Sequence, residues 1–146
     1  MNRLWILVCN SARGRIFEIG DEPCAWQLID SVIDPETREK FDDFAPRDLS
    51  EQTALELARK SIQRARFVST LVAKLDQASR MQRFYGWMIV APPHFLATVK
   101  EQLTDRLREQ LAATVDLDFN HLDVRNLRER LRHSLPAPAY RNAAAM

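Results

Sequence analysis

Residues 3–20 read RLWILVCNSARGRIFEIG, and this stretch decides the fold. The apolar run at its start is rich in strand-forming residues and ends at a polar turn, so it predicts a buried strand. The β-branched and aromatic residues between Gly14 and Gly20 predict a second strand directly after that turn. Because the connection is short, the two strands are expected to form an antiparallel hairpin.

The segments that follow extend this hairpin into a sheet covered by helices. A third strand is predicted over 25–33 with Trp26 and Leu28 on its buried faces, followed by a long helical region from Ser50. The apolar run that begins at Gly86 predicts a fourth strand, and two prolines end it and begin a helix that breaks at Thr104. The alternating stretch VDLDF at 115–119 predicts a fifth strand, and a last helix is expected to begin at Asn120.

This element order predicts the topology. Right-handed crossovers place the fourth strand beside the first and parallel to it, with the fifth strand beyond the fourth. The chain is therefore predicted to be an α/β protein with a ribonuclease-H-like mixed five-stranded sheet in the order 3-2-1-4-5, with helices on its faces.

The long helical region carries two apolar stripes that do not line up. The stripe over 54–65 is displaced by roughly 120° around the helix from the stripe over 68–78, at 100° per residue. A straight helix would not bury both stripes equally. We therefore expect either a bend or break near Arg64–Phe67, or a first half that packs against a different partner from the second.

The length and composition predict one domain. A chain of 146 residues with 46% hydrophobic and 28% charged residues has the size and the apolar content for a single core. We expect one domain over 1–135, a mobile loop within it over the charged and proline-containing stretch 34–51, and a flexible tail over 136–146.

The net charge of +1 hides an uneven distribution of charge. Residues 1–56 contain 6 basic and 12 acidic residues, whereas residues 57–146 contain 15 basic and 8 acidic residues. The basic part of the chain permits an anionic partner, although a solvated surface with lopsided charge accounts for the same numbers.

Basic and amide side chains in three places are candidates for contacts with phosphate. They lie in the first hairpin turn, in the long helical region and along the last helix, where helical spacing puts three guanidinium groups on one face. Turn chemistry and interaction with the helix dipole are the structural alternatives. The candidate RNA-binding or anion-binding residues are Asn10, Arg13, Arg15, Arg64, Arg66, Arg80, Arg83, Arg125, Arg128 and Arg132.

No catalytic, metal-binding or cofactor-binding motif is found in the sequence. A ribonuclease-H-type nuclease needs carboxylates that converge on metal ions, and the first strand has none, so the pair Asp116 and Asp118 is interpreted as surface residues. The three histidines lack metal-type spacing, and no glycine-rich phosphate loop occurs. We expect no enzyme activity, no metal ligands and no cofactor; a small hydrolase that uses His94 is the less favoured alternative.

The cysteines and the absence of targeting segments point to a location. Cys9 and Cys24 lack the spacing of redox or zinc sites, so reduced thiols are expected. No stretch is long enough to be a signal-peptide core or a membrane span. A cytoplasmic protein without a membrane partner is therefore expected.

Three segments together resemble a known family. WILVCNSARGRIFEI at 5–19, RFVSTLVAKL at 66–75 and WMIVAPPHFL at 87–96 resemble the bacterial host-attachment protein family, in both order and spacing. That family in turn resembles the middle domain of eukaryotic and archaeal peptide-chain release factors, which implies the same fold and a link to translation. The Gly-Gly-Gln tripeptide of release factors is absent, so the resemblance does not imply hydrolysis of peptidyl-tRNA.

These observations lead to one functional expectation and one alternative. The first is a non-catalytic domain that binds the translation apparatus, such as the ribosome, or structured RNA through a basic helical surface. The alternative is a protein-interaction or homo-oligomerisation module that uses the segment 34–65.

Overall fold

The computed structural model describes residues 3–20, 26–34 and 50–135, with side chains from residue 54 onward in the last range. The strands are β1 (Leu4–Cys9), β2 (Arg13–Ile19), β3 (Trp26–Ile33), β4 (Gly86–Val90) and β5 (Leu111–Val115). The helices are α1 (Ser50–Arg80), α2 (Pro93–Gln102), α3 (Asp105–Gln110) and α4 (Val124–Leu131).

The five strands form one mixed sheet in the order β3-β2-β1-β4-β5, which confirms the predicted topology. β1 pairs antiparallel with β2, from Leu4 opposite Ile19 to Cys9 opposite Gly14. β1 pairs parallel with β4, and β4 pairs parallel with β5. The predicted hairpin of β1 and β2 therefore lies inside the sheet, with β3 beside β2 and β4 beside β1.

Each face of the sheet has its own apolar core, because side chains alternate along a strand. Trp5, Leu7 and Cys9 of β1 pack on one face with α1, α2 and α3. Leu4 and Ile6 point to the other face, where α4 is the helix that packs on them. The helices on the two faces therefore present separate outer surfaces.

Gly14 lies where β2 meets α1. A Cβ atom placed on Gly14 would come 2.7 Å from Cδ2 of Leu71, whose side chain is fully buried. The absence of a side chain at this position lets the helix lie directly on the strand.

α1 runs from Ser50 to Arg80 without interruption, so the predicted break near Arg64–Phe67 is wrong. A break would be needed only if both apolar stripes were buried against the same sheet. In the structure the core begins at Phe67 and Val68, whereas the described residues from 54 to 62 are all exposed. The other options, a bend in a continuous helix or a first half with a different partner, stay predictions.

The elements around β5 are shifted from their predicted positions. β5 is Leu111–Val115, so the predicted strand at 115–119 is wrong except for its first residue. The break at Thr104 is confirmed, since its hydroxyl accepts a hydrogen bond from the N–H of Leu107 at 3.2 Å. α4 begins after Asp123, which caps it by accepting from the N–H of Asn126 at 2.8 Å, and not at Asn120.

β3 is more exposed than predicted. Leu28 is 52% exposed, because β3 is an edge strand and no core side chain among the described residues covers this position. The ion pair between Lys74 Nζ and Asp30 Oδ2, at 2.8 Å, joins this edge of the sheet to α1. The hydrogen bond and charge of Lys74 hold the pKa of Asp30 below its ordinary value.

Two of the predicted segments lie largely outside the described residues. The tail at 136–146 is one, and positions 35–49 of the loop at 34–51 are the other. Asp34 is buried and its N–H donates to the carbonyl of Ala12 at 2.9 Å, while α1 begins at Ser50. The two described ends of that loop therefore belong to folded structure.

Candidate nucleic-acid interface

The candidates of the first hairpin come together with the segment between β5 and α4. The side-chain oxygen of Asn10 accepts from the N–H groups of Ala12 and Arg13, at 2.9 and 3.0 Å, and so closes the turn between β1 and β2. The guanidinium of Arg13 donates to the carbonyl of Asn120, and Nδ2 of Asn120 returns a hydrogen bond to the carbonyl of Arg13 at 2.9 Å. We call Asn10, Arg13, Arg15 and Asn120 the hairpin clamp.

Arg15 is a buried member of the hairpin clamp. It is 9% exposed, and its guanidinium donates to Oδ1 and to the carbonyl of Asn120, at 3.3 and 3.1 Å. Its charge also lies 5.4 Å from the centre of the Phe17 ring, which is a cation-π distance. Burial lowers the pKa of Arg15 most, and the nearby charge of Arg13 lowers it further. This guanidinium is committed to internal hydrogen bonds.

Asn120 of the hairpin clamp has a different role from the one predicted from the sequence. It was expected to cap α4, but its side chain is buried between β2 and the loop before α4. Its partners are more than 100 positions away in the chain, so spacing along the sequence could not reveal them. Asp118 supports it by accepting from the N–H of Asn120 at 3.1 Å.

The last helix presents the most exposed group of candidates. Leu127 and Leu131 are fully buried and fix α4 on the sheet. Arg125, Arg128 and Arg132 follow at spacings of three and four residues, which places them along one flank of the helix. We call these three residues the arginine flank.

The two outer arginines of this flank are open to a ligand. Arg125 and Arg132 are exposed, and neither guanidinium group has a hydrogen bond or ion pair to any residue of the described ranges 3–20, 26–34 and 54–135. Arg128 is half-buried between them. The hydrogen bonds of the hairpin clamp hold the loop that leads into α4, so the flank is attached to a fixed part of the sheet.

The candidates of the long helical region lie elsewhere. Arg80 is exposed and pairs with Asp76 at 3.1 Å, and Arg83 is exposed at the start of the connection to β4. Arg66 is exposed and Arg64 is half-buried, near the middle of α1. Because α1 and α4 cover opposite faces of the sheet, these four residues do not join the arginine flank in one surface.

The structure gives the positions of the histidine, cysteine and aspartate residues considered in the sequence. Within it, no three His, Cys, Asp or Glu side chains come close enough to hold a metal ion. His94 is exposed at the start of α2. Cys9 is fully buried, and its burial raises the pKa of the thiol far above its ordinary range. Asp116 and Asp118 follow β5 and are exposed.

The comparison with protein families assigns the chain. The model of the family described as "Protein required for attachment to host cells" matches residues 5–131, which is most of the chain. The chain belongs to the host-attachment family. The match covers both the hairpin clamp and most of the arginine flank. None of the curated proteins compared with this sequence matches it.

Solved structures share the fold of this host-attachment protein. The crystal structure of the archaeal translation termination factor aRF1 matches with a TM-score of 0.60 and 11% sequence identity, over 99% of this chain and 37% of the other. A structure described as an archaeal protein matches with a TM-score of 0.59 and 14% identity, over 99% and 38% of the two chains. The chain thus spans less than two fifths of the length of these structures, and the likeness shows a release-factor-like fold. No described helix has the length and apolar character needed to cross a bilayer.

Proposed function

We propose that this protein is a non-catalytic cytoplasmic domain that binds the translation apparatus, or structured RNA, through the arginine flank of α4. The observation that carries the proposal is the exposure of Arg125 and Arg132 on a helix whose other side is fixed on the sheet. Guanidinium groups are suited to phosphate because they present several donors in a fixed planar fork.

The rest of the molecule supports this choice of surface. Arg15 is used internally, and the exposed Arg80 has a carboxylate partner. α4 contains Arg125, Arg128 and Arg130 against the single acid Glu129, so its own charge is positive. Arg132 directly follows Leu131, the last residue of α4, and extends the positive potential past the end of the helix.

The likeness to the archaeal translation termination factor aRF1 favours the translation apparatus among anionic partners. That likeness covers 37% of the factor's chain, so it concerns a part of the factor and not the complete factor. A domain that contacts RNA by its phosphates needs no catalytic group.

Co-sedimentation with purified ribosomes tests the proposal. We expect the wild-type protein to pellet with ribosomes at about 50 mM salt and largely to stay in solution at about 200 mM, because binding to phosphate releases counterions. The variant Arg125→Glu/Arg128→Glu/Arg132→Glu is expected to lose most of its association at the lower salt concentration.

A matched variant controls for overall charge. Arg80→Glu/Arg83→Glu/Arg106→Glu makes the same change in net charge on the face covered by α1 and α3, and all three of these residues are exposed. We expect this variant to keep most of its ribosome binding. Loss of binding in the control, with retention in the α4 variant, would assign the interface to the other face and overturn the proposal.

A further inference from the structure

A cavity of about 220 Å³ lies between the β3 edge of the sheet and the C-terminal end of α1. Its inner part is apolar, because Trp5, Ile16 and Ala78 line it and all three are buried. Ile29 and Met81 also line it and are both exposed, so they belong to its outer part. We call this space the edge cavity. It lies on the face of the sheet opposite α4, so it is separate from the arginine flank.

A β-bulge turns part of β3 toward the edge cavity. Consecutive residues of a regular strand point to opposite faces of the sheet. Ile29 and Asp30 are consecutive, yet both line the edge cavity. The register between β2 and β3 shifts between Ile16 and Phe17, which leaves Ile29 without a partner on β2. Such an extra residue bends the strand and redirects a side chain, and bulges of this kind are frequent next to binding sites.

The end of α1 directs Arg83 to the same cavity. Gln82 follows the helix with a φ of 55°, in the left-handed region that residues other than glycine rarely adopt. This conformation ends the helix, and the N–H of Arg83 donates to the carbonyl of Ala78 at 3.0 Å across the turn. A backbone under such strain is kept where the surrounding structure fixes it, and it recurs at ligand sites. Arg83 is thereby held beside the cavity that it lines.

The charges around the edge cavity leave one positive group without a counterion. Lys74 and Asp30 both line the cavity, and they neutralise each other through their ion pair at 2.8 Å. Arg83 also lines it and is exposed, and its guanidinium has no hydrogen bond or ion pair to any residue among 3–20, 26–34 and 54–135. The edge cavity therefore combines an apolar interior with a net positive charge at its opening.

Size and charge together select the class of ligand. A cavity of about 150 Å³ holds benzene, so the edge cavity has room for one ring and a short chain. A carboxylate suits the guanidinium of Arg83, because the planar fork of donors matches its two oxygens. We propose that the edge cavity binds a small aromatic carboxylate, whose ring packs on Trp5 and Ile16 and whose carboxylate pairs with Arg83.

Titration with 3-phenylpropanoate, followed by two-dimensional proton–nitrogen NMR, tests this proposal. Trp5 lines the edge cavity, so the resonance of its indole N–H, which donates to Glu18 at 3.3 Å, reports on binding. We expect this resonance to shift with a dissociation constant of about 1 mM, a usual affinity for so small a ligand. The indole resonance of Trp87, whose N–H donates to Leu107 inside the core, is expected to stay in place. A Trp5 resonance that is unmoved at about 20 mM ligand overturns the proposal.

The neutral amide 3-phenylpropanamide tests whether the site selects an anion. It has nearly the same shape as the acid but lacks the negative charge, so we expect the wild-type protein to bind it about fivefold more weakly. Arg83→Gln is expected to weaken binding of the acid by about the same factor and to leave binding of the amide unchanged. Equal affinities of the wild-type protein for the acid and the amide overturn the pairing with Arg83.

Arg80→Gln is the matched control for the charge at Arg83. Arg80 is also exposed, but it pairs with Asp76 at 3.1 Å and does not line the edge cavity. We expect this variant to bind the acid as the wild-type protein does. Equal weakening in the two variants would assign the effect to overall charge and overturn the role of Arg83.

A pair of variants on β3 tests the apolar part of the site. Ile29→Asp removes an apolar contact and places a second negative charge beside the carboxylate of the ligand, so we expect it to weaken binding by at least about tenfold. Leu28→Asp is the matched control, since Leu28 is the preceding residue, is exposed and does not line the edge cavity. Equal losses in both variants overturn the assignment of the site. These measurements contain no RNA, so their outcome is separate from that of the ribosome experiment.

Discussion

Replacing Trp87 with alanine is expected to lower the free energy of unfolding by about 3–5 kcal/mol, the usual cost of removing a fully buried aromatic side chain. Trp87 is 0% exposed as the second residue of β4, and its indole N–H donates to the carbonyl of Leu107 at 2.8 Å. The substitution opens a cavity and leaves that buried carbonyl without its partner. Chemical denaturation followed by circular dichroism measures the loss.

Trp26→Ala is the matched control for this prediction. Trp26 begins the edge strand β3 and is half-buried, with its ring 5.9 Å from that of Phe17. Removing it is expected to cost about 1 kcal/mol, because much of the ring is already in water. A cost as large as that of Trp87→Ala would contradict the assignment of β4 to the centre of the core.

Asn120→Ala is expected to cost about 1–3 kcal/mol, the penalty for leaving buried hydrogen-bonding groups unmatched. The side chain of Asn120 accepts from Nε of Arg15 at 3.3 Å and donates to the carbonyl of Arg13 at 2.9 Å. One of the groups left behind is a buried guanidinium, which places the expected cost in the upper part of that range. Chemical denaturation is again the measurement.

Asn126→Ala controls for the loss of an amide as such. Asn126 is exposed on the first turn of α4, and the hydrogen bond of the helix cap uses its backbone N–H and not its side chain. We expect its replacement to change the unfolding free energy by less than about 0.5 kcal/mol. Equal losses for the two variants would show that the hairpin clamp does not stabilise the fold.

The fold follows from the sequence wherever a short-range pattern determines it. The apolar runs at Leu4–Cys9 and Gly86–Val90 predict buried strands, and the handedness of crossovers then limits the strand order to the one observed. The helix cap at Thr104 can also be predicted from the local sequence, because a threonine hydroxyl accepts from an N–H of the first turn. Errors occur where tertiary contacts outweigh local pattern, as at β5, which pairs with β4 over Leu111–Val115 although the alternation of VDLDF is cleaner.

The candidate site was only partly visible in the sequence. The helical spacing of Arg125, Arg128 and Arg132 is a local property, so the arginine flank could be predicted. The internal use of Arg15 could not, because its partners follow β5 and the contact exists only after folding. The separation of the basic residues of α1 and α4 onto opposite faces likewise depends on which side of the sheet each helix covers.

The salt dependence of binding to a double-stranded RNA hairpin tests the central claim, that the arginine flank contacts phosphates. The logarithm of the association constant is measured against the logarithm of the salt concentration, for the wild-type protein and for Arg125→Gln/Arg128→Gln/Arg132→Gln. Each phosphate contact contributes about 0.9 to the magnitude of this slope for a duplex, so we predict that the variant lowers it by roughly 2 to 3. An affinity and a slope unchanged from those of the wild-type protein would contradict the claim.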